Sequence, residues 1–282
     1  MSIVIGIDVG GSTTKIVGFK TDSDGKKELI APQFVRANDP KTAAYGAFGK
    51  FTDENQINIK SIDKIMMTGV GSAFVTGDIF GVPCQRVAEF NSIGKGALYL
   101  SGLSEALTVS LGTGTALVHA SSDGRMNYLG GTGVGGGTLV GLSRLLLRAE
   151  SMDHIIEYAE NGDLDNIDLK IKHMTSKESL SILSRDLTAS NFGNVSDLAS
   201  KEDIALGIMN MVFETVGMVS IFAAHQVGCE NIVLTGNLTR IAYCKKKFDE
   251  FNSMKDNYGV NFIIPDNSQF GTVIGTALCG LS

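Results

Sequence analysis

A glycine turn between two apolar strands constrains the fold of this chain more than any other feature of its sequence. Residues 3–7 form a short β-branched run, Asp8-Val9-Gly10-Gly11-Ser12-Thr13-Thr14-Lys15 follows, and apolar character resumes at Ile16. The pattern predicts a strand, a tight turn and a second strand in a hairpin. A P-loop and a dinucleotide-binding fingerprint both require a helix directly after their glycines, so this sequence fits neither.

The same arrangement occurs again in the second half of the chain. Residues 107–111 predict a strand, Gly112-Thr113-Gly114-Thr115 a turn, and residues 116–120 another strand. A third turn, Gly236-Asn237, follows a predicted strand at 232–235. Backbone N–H groups and hydroxyls on such turns can face a polyphosphate from opposite sides. Together the three turns predict a nucleotide site, with the boundary between two lobes at residues 101–105.

Glycine is unusually frequent, with 34 residues in the chain, and six of them fall within residues 130–137. We expect a loop there, followed by an amphipathic helix over 138–147. A glycine loop that opens a helix is a favourable anion site, because free N–H groups and the helix dipole converge on it.

Two charged residues flank the first turn. Asp8 ends the first strand, where a carboxylate can hold Mg²⁺ through water; an Asx-turn cap is the alternative interpretation. Lys15 can reach a phosphate as a point charge, or it is an exposed strand lysine.

Composition excludes several other functions. The net charge of −6 and the pI near 5.3 argue against nucleic acid as a partner. The four cysteines are scattered, which disfavours zinc and is typical of a reducing compartment. The apolar stretch at 204–227 is interrupted by Asn210, Glu214 and His225, so we expect a buried helix and no membrane span. The N-terminus lacks a signal-peptide pattern, and we expect a cytoplasmic protein.

Several motifs carry a family resemblance. The first turn resembles the phosphate hairpin of the actin, heat-shock chaperone ATPase and sugar kinase superfamily. Four further stretches resemble type II pantothenate kinases: Ala88-Glu89-Phe90-Asn91, Gly112-Thr113-Gly114-Thr115, residues 129–138 and residues 186–193. The resemblance implies a two-lobed α/β actin-like ATPase fold, with duplicated mixed-sheet lobes at 1–104 and 105–282 and a nucleotide cleft between them.

The resemblance also implies an activity. The expected reaction is ATP-dependent phosphorylation of the primary hydroxyl of pantothenate, the first step of coenzyme A biosynthesis, with Mg²⁺ as cofactor. Relatives are cytoplasmic homodimers built through a long buried helix, which falls on residues 203–227 here. Apolar residues on several faces of that helix support the homodimer: Ile208, Met211, Val212, Val216, Val219 and Phe222.

Site residues carry over by motif. The family's catalytic base falls on Glu89, since a hydroxyl that loses its proton needs a carboxylate within reach; a helix-capping role is the alternative. The nucleotide contacts fall on Asp8, Val9, Gly10, Gly11, Ser12, Thr13, Thr14, Lys15, Thr113, Gly136, Gly137, Thr138, Leu139, Val140, Met152 and Asn237.

Three positions depart from the family pattern. Asn91 replaces an Asp, Tyr128 replaces an Arg that helps to hold pantothenate, and Ala116 replaces a hydroxyl residue. The acceptor is therefore pantothenate held differently, pantetheine, or another small alcohol.

Two alternative hypotheses concern other functions: an activator ATPase and a non-catalytic nucleotide sensor. The segment Gly6 to Lys15 also resembles the activator ATPases of acyl-CoA dehydratases, which hold an iron–sulfur cluster with paired cysteines; the scattered cysteines and the Glu89 motif argue against this activity. A non-catalytic nucleotide sensor would require loss of Glu89 or of the hairpin, and both are present.

Overall fold

The computed structural model describes residues 2–11, 13–36, 39–174 and 185–281, and within them it has two five-stranded mixed sheets. The first sheet contains β1 (Ser2–Val9), β2 (Thr14–Thr21), β3 (Lys27–Val35), β4 (Ile62–Thr68) and β5 (Cys84–Arg86). The second contains β6 (Glu105–Leu111), β7 (Thr115–Ser121) and β8 (Met126–Thr132), together with two later strands. A short pair, β9 (Leu169–Lys170) and β10 (Thr188–Ser190), lies between the two groups in sequence; β11 (Asn231–Thr235) and β12 (Asn261–Ile263) complete the second sheet.

The two sheets share one plan. In the first, the order is β3-β2-β1-β4-β5, with β1 antiparallel to β2 and parallel to β4. In the second, the order is β12-β11-β6-β7-β8, with β6 antiparallel to β7 and parallel to β11. Each sheet therefore begins with an antiparallel hairpin closed by a glycine turn. The predicted hairpins and the predicted α/β fold with duplicated mixed sheets are confirmed.

The helices are α1 (Pro40–Glu54), α2 (Glu89–Ser101), α3 (Gly136–Leu147), α4 (Met152–Glu160), α5 (Ile171–Met174), α6 (Lys201–Val227), α7 (Ala242–Ser253), α8 (Lys255–Tyr258) and α9 (Gly271–Leu278). Short 3₁₀ turns lie at Ile59–Ser61, Val70–Phe74, Leu164–Asn166, Asn237–Arg240 and Ser268–Phe270.

Helices α2 and α9 each pack against the sheet formed by the other half of the chain. Ala97 of α2 packs in a cluster with Ala120 and Val233 of the second sheet, whereas Val273 of α9 packs with Val17 and Phe19 of the first. The predicted boundary between two lobes at residue 104 remains a prediction. Both helices pack across that boundary. Each of these two helices lies on the sheet of the other predicted lobe.

The backbones of helices α2 and α9 approach each other very closely where the two helices cross. A Cβ on Gly96 would lie 1.8 Å from the Gly271 carbonyl oxygen, and one on Gly275 would lie 1.8 Å from the Ser92 carbonyl oxygen. Only glycine fits at such a crossing, because any side chain would collide with backbone. The crossing fixes the start of α2 relative to both sheets.

Helix α6 forms the centre of the core in the second half. It begins at Lys201, two residues before the predicted start, with Ser200 and Asp203 in a capping box, and it ends at Gly228 with φ 66°. Its length and composition would allow it to cross a membrane, yet 67% of its most apolar window is buried inside the protein. That burial is typical of a core helix, as predicted from its polar interruptions.

The glycine-rich segment differs from the predicted loop. Gly130 and Gly131 belong to β8, and α3 begins at Gly136, two residues before the predicted start. A β-bulge between Tyr128 and Gly130 allows the strand to continue through the glycines.

Candidate active site

The three glycine turns meet around one cavity of about 670 Å³ between the two sheets. Its lining includes Asp8, Gly10, Gly11, Thr13, Lys15, Gly69, Val70, Glu89, Ile93, Ser110, Gly112, Thr113, Gly114, Thr115, Ala116, Tyr128, Gly131, Thr132, Gly133, Gly236, Asn237 and Thr272. Each turn closes a hairpin or follows a central strand, so the shared plan of the sheets brings these turns to one place.

The first turn presents two buried charges. The Gly10 N–H donates to the Thr13 carbonyl at 3.0 Å and closes the turn. The hairpin register then places Asp8 opposite Lys15, and both side chains are less than a tenth exposed. Burial raises the pKa of Asp8, partly offset by Lys15, and burial lowers the pKa of Lys15, partly offset by Asp8 and Glu89. Ser12, a predicted nucleotide contact, lies outside the described residues.

The second turn is held from behind by the start of α3. The Gly136 N–H donates to the Gly112 carbonyl at 2.9 Å, and the Gly137 N–H donates to the Thr113 carbonyl at 2.8 Å. These two amides are therefore committed to the turn and do not point into the cleft. They support the turn that carries Thr113, and the nucleotide contacts expected at Gly136 and Gly137 remain a prediction.

The third turn faces the first across the cleft. Gly236 has φ 97°, and a Cβ there would lie 2.5 Å from the Leu111 carbonyl oxygen. The following residue, Asn237, donates from Nδ2 to Thr13 Oγ1 at 3.4 Å. This hydrogen bond joins the turn of one sheet to the turn of the other.

Glu89 lies at the same cavity as the first residue of α2. Ala88 occupies the N-cap position and makes no side-chain capping hydrogen bond. The side chain of Glu89 is open to the cleft, and its pKa is raised first by the loss of water around it and then by Asp8, with Lys15 acting in the opposite direction. A carboxylate with a raised pKa in a cleft is a candidate proton acceptor, and the role of Glu89 as base remains a prediction.

Eight of the described residues predicted to contact the nucleotide do not line this cavity: Val9, Thr14, Gly136, Gly137, Thr138, Leu139, Val140 and Met152. The Thr138 hydroxyl donates to the Gly133 carbonyl at 2.9 Å, Leu139 is fully buried in the core of the second half, and Val140 and Met152 pack against that core. Helix α3 leads away from the turn, and its buried residues Leu139, Ser143 and Leu147 face the core. Val9 and Thr14 lie behind the first turn at a separate cavity of about 140 Å³.

Gly69 also lines the cleft, although no role for it was predicted from the sequence. It follows β4 with φ 83°, and a Cβ there would lie 2.6 Å from Asp8 Oδ1. A strand followed by Gly69-Val70-Gly71 is the same signal that revealed the other turns, so this residue was within reach of sequence reasoning.

Comparison with known proteins supports the motif resemblance. The chain is 28% identical to the type II pantothenate kinase of Staphylococcus aureus strain MRSA252, over 98% of this chain and 99% of that protein. It is 29% identical to the type II pantothenate kinase of Oceanobacillus iheyensis, over 97% and 98% of the two chains.

Two solved structures share the fold. The activator of the 2-hydroxyisocaproyl-CoA dehydratase from Clostridium difficile with bound ADPNP has a TM-score of 0.69 and 17% identity, and covers 99% of this chain and 94% of its own. Component A of the (R)-2-hydroxyglutaryl-CoA dehydratase from Acidaminococcus fermentans has a TM-score of 0.64 and 18% identity, over 99% and 97%. At these identities the likeness extends to the fold alone.

The family assignment rests on the second half of the chain. The Fumble family model matches residues 105–251, which is more than half of the sequence and includes the second and third glycine turns. The resemblance predicted from the motifs is thereby confirmed, and the chain belongs to the Fumble family.

Proposed function

We propose that this protein is a kinase that transfers the γ-phosphoryl group of ATP to the primary hydroxyl of pantothenate, the first step of coenzyme A synthesis. The observation that carries the proposal is the convergence of three glycine turns and one carboxylate, Glu89, on a single interlobe cavity. Full-length similarity to proteins named type II pantothenate kinase identifies the acceptor.

The nucleotide side of the cleft consists of turns from both sheets. Thr13 and Lys15 come from the first sheet, and Thr113 and Asn237 from the second, so the phosphates lie between them. Backbone N–H groups of the turns and the Lys15 ammonium supply positive potential where the transferred group carries negative charge. Little covalent chemistry remains for the protein, because positioning and charge stabilisation dominate phosphoryl transfer.

Asp8 fits a magnesium ion. Carboxylate oxygen is the kind of ligand that Mg²⁺ prefers, and burial without a sufficient cation already raises the pKa of this carboxyl. When bound, the ion supplies neutralisation of the phosphate charge. Asp8 would hold it through water, next to the phosphates.

Glu89 acts on the acceptor side. As the hydroxyl oxygen bonds to the γ-phosphorus, the bond from that phosphorus to the β–γ bridging oxygen breaks and ADP leaves. The hydroxyl proton passes to the Glu89 carboxylate. Loss of water around Glu89, followed by Asp8, raises the pKa of this carboxyl, which makes it a better proton acceptor than an ordinary exposed glutamate.

The activator-ATPase alternative is not favoured. The full-length relatives are named as kinases, and the structural likeness to dehydratase activators is one of fold. The cysteines lie apart along the chain, at Cys84, Cys229, Cys244 and Cys279, with Cys229 and Cys244 buried.

The decisive experiment measures ADP release by the purified protein with ATP and Mg²⁺ in the presence of pantothenate, pantetheine, or a panel of sugars and polyols. We expect pantothenate-dependent release and a phosphorylated product with the mass of phosphopantothenate. Release that does not depend on pantothenate, or that depends on another panel member alone, would refute the proposal. Glu89→Gln serves as the chemical control.

The proposal includes a cytoplasmic homodimer that uses α6. Three of the helix residues predicted to face a partner, Ile208, Val212 and Val216, are instead buried within the chain itself. The partner would therefore contact the more exposed face that carries Met211, Val219 and Phe222, of which Phe222 is 64% exposed. Light scattering at micromolar concentration tests this: we expect twice the chain mass for the wild type and a monomer for Phe222→Glu.

A further inference from the structure

We propose that Tyr128, stacked on Phe90, is the residue that recognises the hydrocarbon beside the reacting hydroxyl of the acceptor. This inference rests on the proposed function and assigns to the cleft a specificity residue for the two methyl groups of pantothenate. It follows from the position of the ring, from the distortion of the strand that carries it, and from the charges that share its cavity.

The Tyr128 ring is held next to the catalytic base. Its centroid lies 3.9 Å from that of Phe90, with 15° between the ring planes, and Phe90 directly follows Glu89. Both rings retain open surface: Tyr128 is 46% exposed and Phe90 is 37% exposed. An apolar face left open within a cleft is typical of a binding site, because bulk solvent gives it no stabilisation.

A β-bulge directs Tyr128 into the cleft. The register pairs Leu117 with Gly130 but Val118 with Tyr128, which leaves Leu129 as an extra residue. In a regular strand, residues three apart point to opposite faces. Here a Cβ on Gly131 would point toward the Tyr128 hydroxyl, so the two residues share one face, because the extra residue reverses the alternation.

Gly131 makes room for the tyrosine. A Cβ on Gly131 would lie 3.2 Å from the Tyr128 hydroxyl oxygen and 2.4 Å from the Thr115 carbonyl oxygen. A side chain at this position would therefore crowd both the ring tip and the neighbouring strand. The bulge, the glycine and the stack together hold one aromatic side chain in a fixed place.

The positions of the charged residues in the cavity indicate that the Tyr128 ring contacts hydrocarbon. Among the described lining residues, the ionisable side chains are Asp8, Lys15 and Glu89. Lys15 faces Asp8 across the first hairpin and is 6% exposed, so it serves the phosphate side. Tyr128, Ala116 and Gly131 line the cavity from the neighbouring strands β7 and β8, and none of them carries the cation that a carboxylate would need.

The acceptor has matching chemistry at this point. The primary hydroxyl of pantothenate is on a CH₂ attached to a carbon with two methyl groups. When that hydroxyl is within hydrogen-bond reach of Glu89, the methyl groups lie in the same cavity as Tyr128, which is the aromatic residue among its described lining residues. Aromatic faces pack well against methyl groups, and the stack keeps the ring from turning away.

The test is a cycle of protein and substrate changes. The value of kcat/KM is measured for pantothenate and for its analogue with both methyl groups replaced by hydrogen, using the wild type, Tyr128→Phe, Tyr128→Ala and Tyr99→Ala. Tyr99 is a matched control, since it is another partly exposed tyrosine, lies on α2 about 15 Å from Glu89 at 1.5 Å per residue, and makes a ring contact with Phe19.

We expect the wild type to prefer pantothenate over the analogue by at least about 10-fold, since a single missing methylene in an apolar pocket costs roughly 10–200-fold. Tyr128→Phe and Tyr99→Ala should retain this ratio. Tyr128→Ala should reduce it to about 3-fold or less, with the KM for ATP unchanged.

The outcomes separate the two hypotheses. An undiminished ratio in Tyr128→Ala, or no preference in the wild type, overturns the assignment of Tyr128 while leaving pantothenate as the acceptor. No pantothenate-dependent turnover in the wild type refutes the proposed function and this inference with it. The unchanged KM for ATP shows that Tyr128→Ala is folded, so a lost ratio cannot be attributed to unfolding.

Discussion

Replacing Gly275 with alanine tests how closely helices α2 and α9 pack where they join the two sheets. The new Cβ would lie 1.8 Å from the Ser92 carbonyl oxygen, whereas ordinary contact begins near 3.4 Å. Helices α2 and α9 must therefore separate by about 1.5 Å. The obstacle is backbone, which cannot rotate away as a flexible side chain can.

Overpacking of this kind costs about 1–3 kcal/mol of unfolding free energy, and the backbone obstacle places Gly275→Ala at the upper end. At roughly 2–4 °C of Tm per kcal/mol for a chain of this size class, we expect Tm to fall by about 6–12 °C. Gly46→Ala is the matched control, because Gly46 lies in α1 with no heavy atom within 4 Å of its added Cβ. That variant should gain about 0.5–1 kcal/mol from helix propensity.

Activity provides a second measurement. Glu89 begins α2, and Thr272 of α9 lines the same cavity. A separation of the helices by about 1 Å or more moves the base relative to the phosphate turns, and such a misplacement can cost about 10²-fold in rate. A Gly275→Ala protein that unfolds at the wild-type temperature with the wild-type kcat would refute the close crossing and the argument built on it.

Three further predictions concern the chemistry of the cleft. Glu89→Gln should lower kcat by about 10²–10⁴-fold, with ATP affinity unchanged in a binding titration. The control variant Glu157→Gln, on α4, should behave as the wild type. Full activity in Glu89→Gln would eliminate Glu89 as the base. Asp8→Asn should weaken the dependence of turnover on Mg²⁺ more than it weakens ATP binding, and an unaltered Mg²⁺ titration would reject the metal role. The loss of water around Glu89, followed by the charge of Asp8, raises the pKa of the Glu89 carboxyl. Because a base must be ionised, kcat/KM should fall as pH decreases through that raised pKa, at a higher pH than for an ordinary glutamate. The fall should be absent in Glu89→Gln, and a fall retained in that variant would belong to another group.

Local signals were sufficient to predict the turns and the charges beside them. Hairpins require only apolar runs with glycine between them, and once Gly10 closes the first turn, the register alone places Asp8 opposite Lys15. The helix-capping alternative for Glu89 also placed this residue at the start of a helix, and α2 begins there. These features depend on neighbours in sequence, which is why sequence reasoning found them.

Tertiary partners were beyond the reach of the same reasoning. The glycines at 136 and 137 do open a helix, but their N–H groups donate to Gly112 and Thr113, more than 20 residues earlier. Likewise, the periodicity of α2 indicates an apolar face without indicating which sheet covers it. Gly96 and Gly275 appear in sequence as ordinary helix glycines, and only the crossing explains them.

The hydrogen bond from Asn237 to Thr13 leads to a final prediction, because the site is complete only when both sheets contribute. At 3.4 Å the bond is long for N–H···O, whose usual distance is about 2.9–3.0 Å, and it is therefore weak. Both residues are candidate nucleotide contacts, so ATP that engages them would replace one weak link between the lobes with two bonds to a charged ligand.

Binding would then draw the turns together, and Asn237→Ala should raise the KM for ATP by about 3- to 10-fold, the equivalent of one hydrogen bond of about 0.5–1.5 kcal/mol. Leu238→Ala does not serve as a control, since Leu238 is buried in the core; Asn267→Ala, on the loop before α9 and outside the cleft lining, does. An unchanged KM for ATP in Asn237→Ala, with the acceptor KM increased in its place, would mean that the third turn serves the acceptor and that the lobes are drawn together by other groups.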